Sequence, residues 1–250
     1  MPFDIRELAL PMEMPRVATA FLRKNLAHFV YDTLRLLEKN PASLPDTQMI
    51  LNGRTVPGLS VDDFLQIKYF GDAAKMLAKK VEAAAFTIDV DSICSLHALT
   101  GKEEALEWSI LRKQQVFVGN CEYVPPSPDS LPELVSIAID EIREMENPVS
   151  AAFNAFAIFS KLQPFYDANK RTSMLFMNGI LMKNGLYPLF IPSKLDAETN
   201  KAIQELYENG ETEPLLDVFR KSVAIYYPDS IDYGERWKCA EETCVLQGPK

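Results

Sequence analysis

The stretch Gln163-Pro164-Phe165-Tyr166-Asp167-Ala168-Asn169-Lys170-Arg171-Thr172 sets one carboxylate, one amide and two cations within the five residues from Asp167 to Arg171. Those residue types suit a polyphosphate carried with a hard cation. Asp167 can hold Mg2+, whose remaining positions go to phosphate oxygens. Arg171 offers the same oxygens a planar fork of donors. Asp167 and Asn169 are good N-cap types and predict a helix from about Lys170, and the N–H groups at such an end bind anions with the helix dipole behind them. The same residues would also serve as a capped, solvated helix start.

The flanking sequence says where in the fold this stretch lies. Residues 151–162 are apolar on nearly every side, as are Met174, Leu175, Phe176, Met177, Ile180, Leu181 and Met182. A helix apolar all round is central in a fold or spans a membrane. Both runs fall short of the roughly 20 apolar residues a span requires, so two buried helices joined by a short, deep loop are expected.

Gln163-x-Phe165-x-Asp167-Ala168-Asn169-Lys170-Arg171 resembles the signature of the Fic/Doc family, His-x-Phe-x-(Asp/Glu)-(Ala/Gly)-Asn-(Gly/Lys)-Arg-x-x-Arg, matching at Phe165, Asp167, Ala168, Asn169, Lys170 and Arg171. The resemblance implies an all-α, Fic-type helical bundle. Its members transfer AMP from ATP to a protein hydroxyl, and a few transfer other phosphate-containing groups. It implies ATP and Mg2+ as cofactors, with Asp167 at the metal and Ala168, Asn169, Lys170 and Arg171 around the phosphates. The motif His, the general base, is replaced by Gln163, which could orient a hydroxyl but not deprotonate it. Loss of a positioned base costs on the order of 10²- to 10⁴-fold in rate. The family's final Arg is replaced by Met174, as in Doc-type members, which also lack it.

Upstream, Val17, Phe21, Leu26, Val30, Leu34 and Leu37 mark an amphipathic helix from Arg16 to about Lys39. Its end resembles the family's inhibitory motif, (Ser/Thr)-x-x-x-Glu-(Gly/Asn). Glu38 stands for the inhibitory Glu, Thr33 lies one place early and Lys39 replaces the Gly or Asn. With Met174 in place of the final Arg, the resemblance leaves Glu38 without its expected partner. A bland alternative makes Glu38 a solvated helix-end carboxylate. A second helix is expected after Ser60, a third after Asp91 to Gly101, and further helices over Leu134–Met145, Asp196–Glu208 and Glu213–Tyr226.

Between Gln114 and Tyr123 the period changes to two, with Val116, Phe117 and Val118 before a Gly119-Asn120 turn, so a small β-hairpin is expected. It resembles the family's flap, on which a target protein segment docks as an added strand. The expected organisation is an amino-terminal helical extension (1–89), a Fic core (90–226) and a tail (227–250).

The chain has 250 residues, a net charge of −9 and no long run of Lys and Arg, which argues against nucleic-acid binding. No apolar leader or membrane stretch is legible, so a cytoplasmic protein with free thiols is expected. Cys94, Cys121, Cys239 and Cys244 make no metal-ligand spacing, and His97, in an apolar stretch, reads as a core histidine. Three readings stay open: an impaired adenylyltransferase, a nucleotide-binding interaction module without chemistry, and a Doc-like phosphotransferase. A homo-oligomer is compatible with each.

Overall fold

Two helices too apolar to face water sit at the centre of the molecule. In the computed structural model, which describes Leu8, 10–119 and 121–228, these are α7 (Pro148–Leu162) and α8 (Asn169–Lys183), packed against each other. Every residue from Ala151 to Ala157 and from Met174 to Met182 is buried. Phe159 of α7 meets Phe176 of α8 edge to face at 5.6 Å. At Gly179 a Cβ would come within 2.4 Å of the Phe86 ring and 2.9 Å of Leu77, so glycine is what lets α4 (Val61–Glu82) approach α8.

The other helices wrap this pair: α1 (Pro15–Lys24), α2 (Leu26–Glu38), α3 (Leu44–Leu51), α5 (Val90–Thr100), α6 (Leu131–Glu144), α9 (Asp196–Glu208) and α10 (Glu213–Tyr226). Buried side chains from α1, α2 and α4 join those of α7 and α8 in one apolar core. The fold is all-α, and the described residues contain no strand, only an isolated bridge between Met12 and Leu186.

The expected helix from Arg16 to Lys39 is in fact two, α1 and α2, meeting at Asn25. The Asn25 side chain donates to the Phe21 carbonyl at 2.9 Å, competing with the backbone ladder there. The short helix α3 was not expected, although Ser43 and Asp46 make a reciprocal capping box at its start. The caps at Ser60 and Gly101 and the spans of α9 and α10 agree with the sequence reading. Asn120, Cys239, Cys244 and nearly all of the expected tail lie outside the described residues.

Candidate functional site

The loop from Gln163 to Ala168 is built by two left-handed residues and one amide. Gln163 ends α7 at φ 48 and Ala168 precedes α8 at φ 58, which turns the chain sharply at both ends. Asn169 closes the loop from within: its Oδ1 accepts the Phe165 N–H at 2.8 Å and its Nδ2 donates to the Phe165 carbonyl at 2.9 Å. The same Nδ2 donates to Gln163 Oε1 at 2.9 Å. Backbone partners fix these polarities, because an N–H only donates and a carbonyl only accepts.

Neither expected cap operates at the start of α8. Asn169 is the first helical residue, its side chain is turned back into the loop, and no side chain caps the helix. Asp167 Oδ1 accepts from the Ala168 N–H at 2.5 Å, leaving a carboxylate whose side chain is 56% exposed. An uncapped helix start with an accessible carboxylate beside it has the chemistry of a site for a metal-bound anion.

Arg171 is fully buried, and acidic side chains surround it. Glu104 takes Nη1 and Nη2 at 2.8 Å each, a two-bond fork. Glu38 Oε1 lies 2.9 Å from Nε, an ion contact that is not aligned as a hydrogen bond. Asp167 Oδ1 is 3.8 Å from Nη2. Lys170 Nζ meanwhile donates to the Leu37 carbonyl at 3.4 Å, so both motif cations engage the end of α2. Burial pushes the Glu38 carboxyl above its ordinary value of 4.5, against the pull of Arg171 and Lys170. The resemblance left Glu38 without a partner; the structure supplies one from the motif itself. Met174 is wholly buried within α8 and takes no part.

Lys39, where the inhibitory motif has Gly or Asn, adopts φ 60, the left-handed conformation those residues favour. Thr33 is buried, and its hydroxyl has no hydrogen-bond partner among the described residues.

Residues 87–181 match the Fic/DOC family. The chain carries a Fic/DOC family domain. A protein adenylyltransferase Fic from Drosophila willistoni is 31% identical over 201 residues, covering 76% of this chain and 39% of that protein. The Fic-1 structure from C. elegans aligns with a TM-score of 0.70 at 24% identity, over 86% of this chain and 64% of that one. The structure of IbpAFic2 covalently tethered to Cdc42 aligns with a TM-score of 0.52 at 15% identity, over 86% and 66%. The chain thus spans about two fifths of the length of the curated relative it matches, and the solved structures share its fold.

Gln163, which the motif resemblance sets at the base position, is held on both sides of its side-chain amide. Its Nε2 donates to the Ser160 carbonyl at 2.6 Å and to the Tyr207 hydroxyl at 3.2 Å, while Oε1 accepts from Asn169. Both Nε2 protons are thereby used, while Oε1, with one of its two lone pairs engaged, can still accept from a hydroxyl but has no basicity to deprotonate it. Burial pushes the Tyr207 hydroxyl well above the ordinary tyrosine range, so Tyr207 is no substitute base.

His97 stacks on Phe165 with ring centroids 3.8 Å apart. Its Nδ1 accepts from the Ser109 N–H at 3.2 Å, so Nε2 carries the proton and donates to the Asp167 carbonyl at 3.2 Å. Burial lowers its pKa to about 4, which keeps the ring neutral. It shapes the loop as a core histidine.

The expected hairpin is not a hairpin in this structure: among the described residues, 114–126 form no ladder. What closes the segment is side-chain bonding. Arg112, 2% exposed, donates from Nη1 to the Gln114 carbonyl, from Nη2 to the Pro126 carbonyl and from Nε to the Gln163 carbonyl, at 2.9, 2.6 and 2.7 Å. Gln115 Nε2 spans to the Pro125 carbonyl at 2.9 Å. These bonds hold the two arms at their base, while Gln115 Nε2 and Cys121 Sγ also donate to the Val116 and Val118 carbonyls at 3.2 and 3.8 Å. Phe117 is 81% exposed. Arg112 and Glu104 both escaped the sequence reading, since neither belongs to the motif and a lone Arg or Glu in a polar loop gives no local signal.

Proposed function

We propose that this chain is a Fic-type protein adenylyltransferase scaffold that binds MgATP at the start of α8 and is impaired in transfer because Gln163 occupies the place of the general base. The observation that carries the reading is the uncapped, left-handed entry to α8 at Ala168 with Arg171 buried behind it and held by acidic side chains. A buried guanidinium that must be balanced by carboxylates is a preformed place for phosphate oxygens once those carboxylates withdraw.

In this reading Asp167 holds Mg2+ through its exposed carboxylate, and Ala168, Asn169, Lys170 and Arg171 line the phosphates. Magnesium supplies charge neutralisation at the phosphates. Asn169 keeps the loop in shape, while Lys170 and Arg171 trade their α2 partners for the nucleotide. Glu38 is the inhibitory carboxylate of the 1–89 extension, acting on Arg171 in place of the missing final Arg. A target protein docks along Val116–Phe117–Val118 as an added strand, a reading supported by the exposure of Phe117. The tethered IbpAFic2 complex supports a protein target in general and not the identity of this one. No described helix is long and apolar enough to cross a membrane.

The absence of a basic group on Gln163, whose Nε2 is held by the Ser160 carbonyl and the Tyr207 hydroxyl, favours a second reading, a nucleotide-binding module without chemistry. Calorimetry with MgATP tests what the two share: Arg171→Ala should weaken binding, and equal affinity in parent and variant would reject the site. Label position then reads the chemistry in Gln163→His. Transfer from the α-phosphate marks AMP transfer, the γ-phosphate marks a Doc-like phosphotransferase, and binding without transfer marks the module.

A further inference from the structure

Glu104 lies outside the motif and outside the helix that resembles the inhibitory one, yet of the two close carboxylates it grips Arg171 in the better geometry. Its two parallel bonds of 2.8 Å contrast with the unaligned contact from Glu38. A turn after α5 presents it: Glu103 is left-handed at φ 63 and the Glu104 N–H donates to the Gly101 carbonyl at 3.2 Å.

Glu104 is also wired to the end of α2. Its Oε2 accepts from Gln66 Nε2 at 3.1 Å, and Gln66 Oε1 accepts from Asn40 Nδ2 at 2.9 Å. Asn40 is buried, two residues beyond Glu38, and its N–H donates to the Leu34 carbonyl at 3.2 Å, so it is part of the α2 terminus. Each amide in this relay donates towards Glu104, the direction in which successive hydrogen bonds strengthen one another. The end of α2 therefore reaches Arg171 twice, directly through Glu38 and indirectly through Asn40, Gln66 and Glu104. Around Arg171 and Lys170, two positive charges face three carboxylates, those of Glu38, Glu104 and Asp167. A polyphosphate cannot be added to that arrangement without displacing acid.

We propose that Glu104 is a positioning residue for the phosphate site: it fixes the Arg171 guanidinium and, through Gln66 and Asn40, couples that hold to the end of α2, so that a polyphosphate reaches Arg171 only when Glu38 and Glu104 both give way. This rests on the reading of Arg171 as a phosphate ligand. Neither carboxylate alone sets the affinity, because removing one leaves the guanidinium in the grip of the other.

The test is MgATP affinity, by calorimetry, in the full chain and in Glu38→Gln, Glu104→Gln and the double variant. Each single change should tighten binding only a few-fold. The double variant should tighten it by at least about tenfold, more than the product of the singles, as expected for residues sharing one partner. A gentler change, Gln66→Ala, keeps every charge in place and should tighten binding slightly in the parent but not in Glu104→Gln. It also covers the case in which the double variant fails to fold. Singles that multiply to give the double, or a Gln66→Ala effect that survives in Glu104→Gln, would overturn the coupling. Glu104→Gln binding as the parent does, with the double matching Glu38→Gln, would overturn the role of Glu104. Absence of MgATP binding in all folded variants would overturn the phosphate site itself, and this inference with it.

Discussion

Glu38 Oε1 lies 2.9 Å from Arg171 Nε, so the carboxylate at the end of α2 is set against a motif cation in the first turn of α8. The contact joins residues 133 positions apart and belongs to a buried group. Removing one member of such a pair changes what the other is free to bind.

Glu38→Gln should therefore raise affinity for MgATP. A charged contact of this kind is worth about 1–2 kcal/mol, which corresponds to a gain of roughly five- to thirtyfold if Glu104 did not compensate, and less to the extent that it does. Calorimetry on parent and variant checks the direction, and weaker binding in the variant would mean that Glu38 supports the site rather than masking it.

Asn169→Asp tests the loop. The swap is nearly isosteric, but a carboxylate cannot donate to Gln163 Oε1 and the Phe165 carbonyl, and both would then face an acceptor. A loss of about 2–3 kcal/mol in unfolding free energy is expected, measured by urea denaturation.

Arg112→Ala would strip three backbone carbonyls of their donor, at Gln163, Gln114 and Pro126. About 2–4 kcal/mol of stability should be lost, with hydrogen exchange rising over residues 113–126 and at the motif loop. Exchange that rises evenly across the fold would show that Arg112 is not a local tie.

His97 gives the protein a specific acid response. Its folded pKa, about 4, lies below the 6.5 of an exposed ring, so between these values the unfolded chain binds the extra proton. The contribution is present above pH 6.5 and is lost as pH falls towards 4, on the order of 3 kcal/mol at most. In His97→Gln the decline in stability across that window should be correspondingly shallower, as read by thermal melts at several pH values.

Much of the fold was legible because its signals are local. The all-round apolar runs placed α7 and α8 at the centre, Ser60 and Gly101 marked helix ends, and proline, glycine and periodicity bounded α9 and α10. The motif residues, contiguous in sequence, form one short loop and the first turn of α8. What stayed hidden depends on contacts distant in sequence. Asn169 looked like a cap and is a loop brace, because Phe165 presents its backbone to it. Glu38 lost one partner in the sequence and gained another, because α2 ends against α8. The segment around Phe117 alternates like a hairpin but is held by Arg112 and Gln115 rather than by strand pairing.

The most direct test of the central claim is mass spectrometry of a cell lysate incubated with MgATP and either the parent chain or a Gln163→His, Glu38→Gln variant. The account predicts AMP on protein hydroxyls with the variant and little or none with the parent. Equal modification by both would contradict the role given to Gln163, and no modification by a variant that binds MgATP would contradict the adenylyltransferase reading.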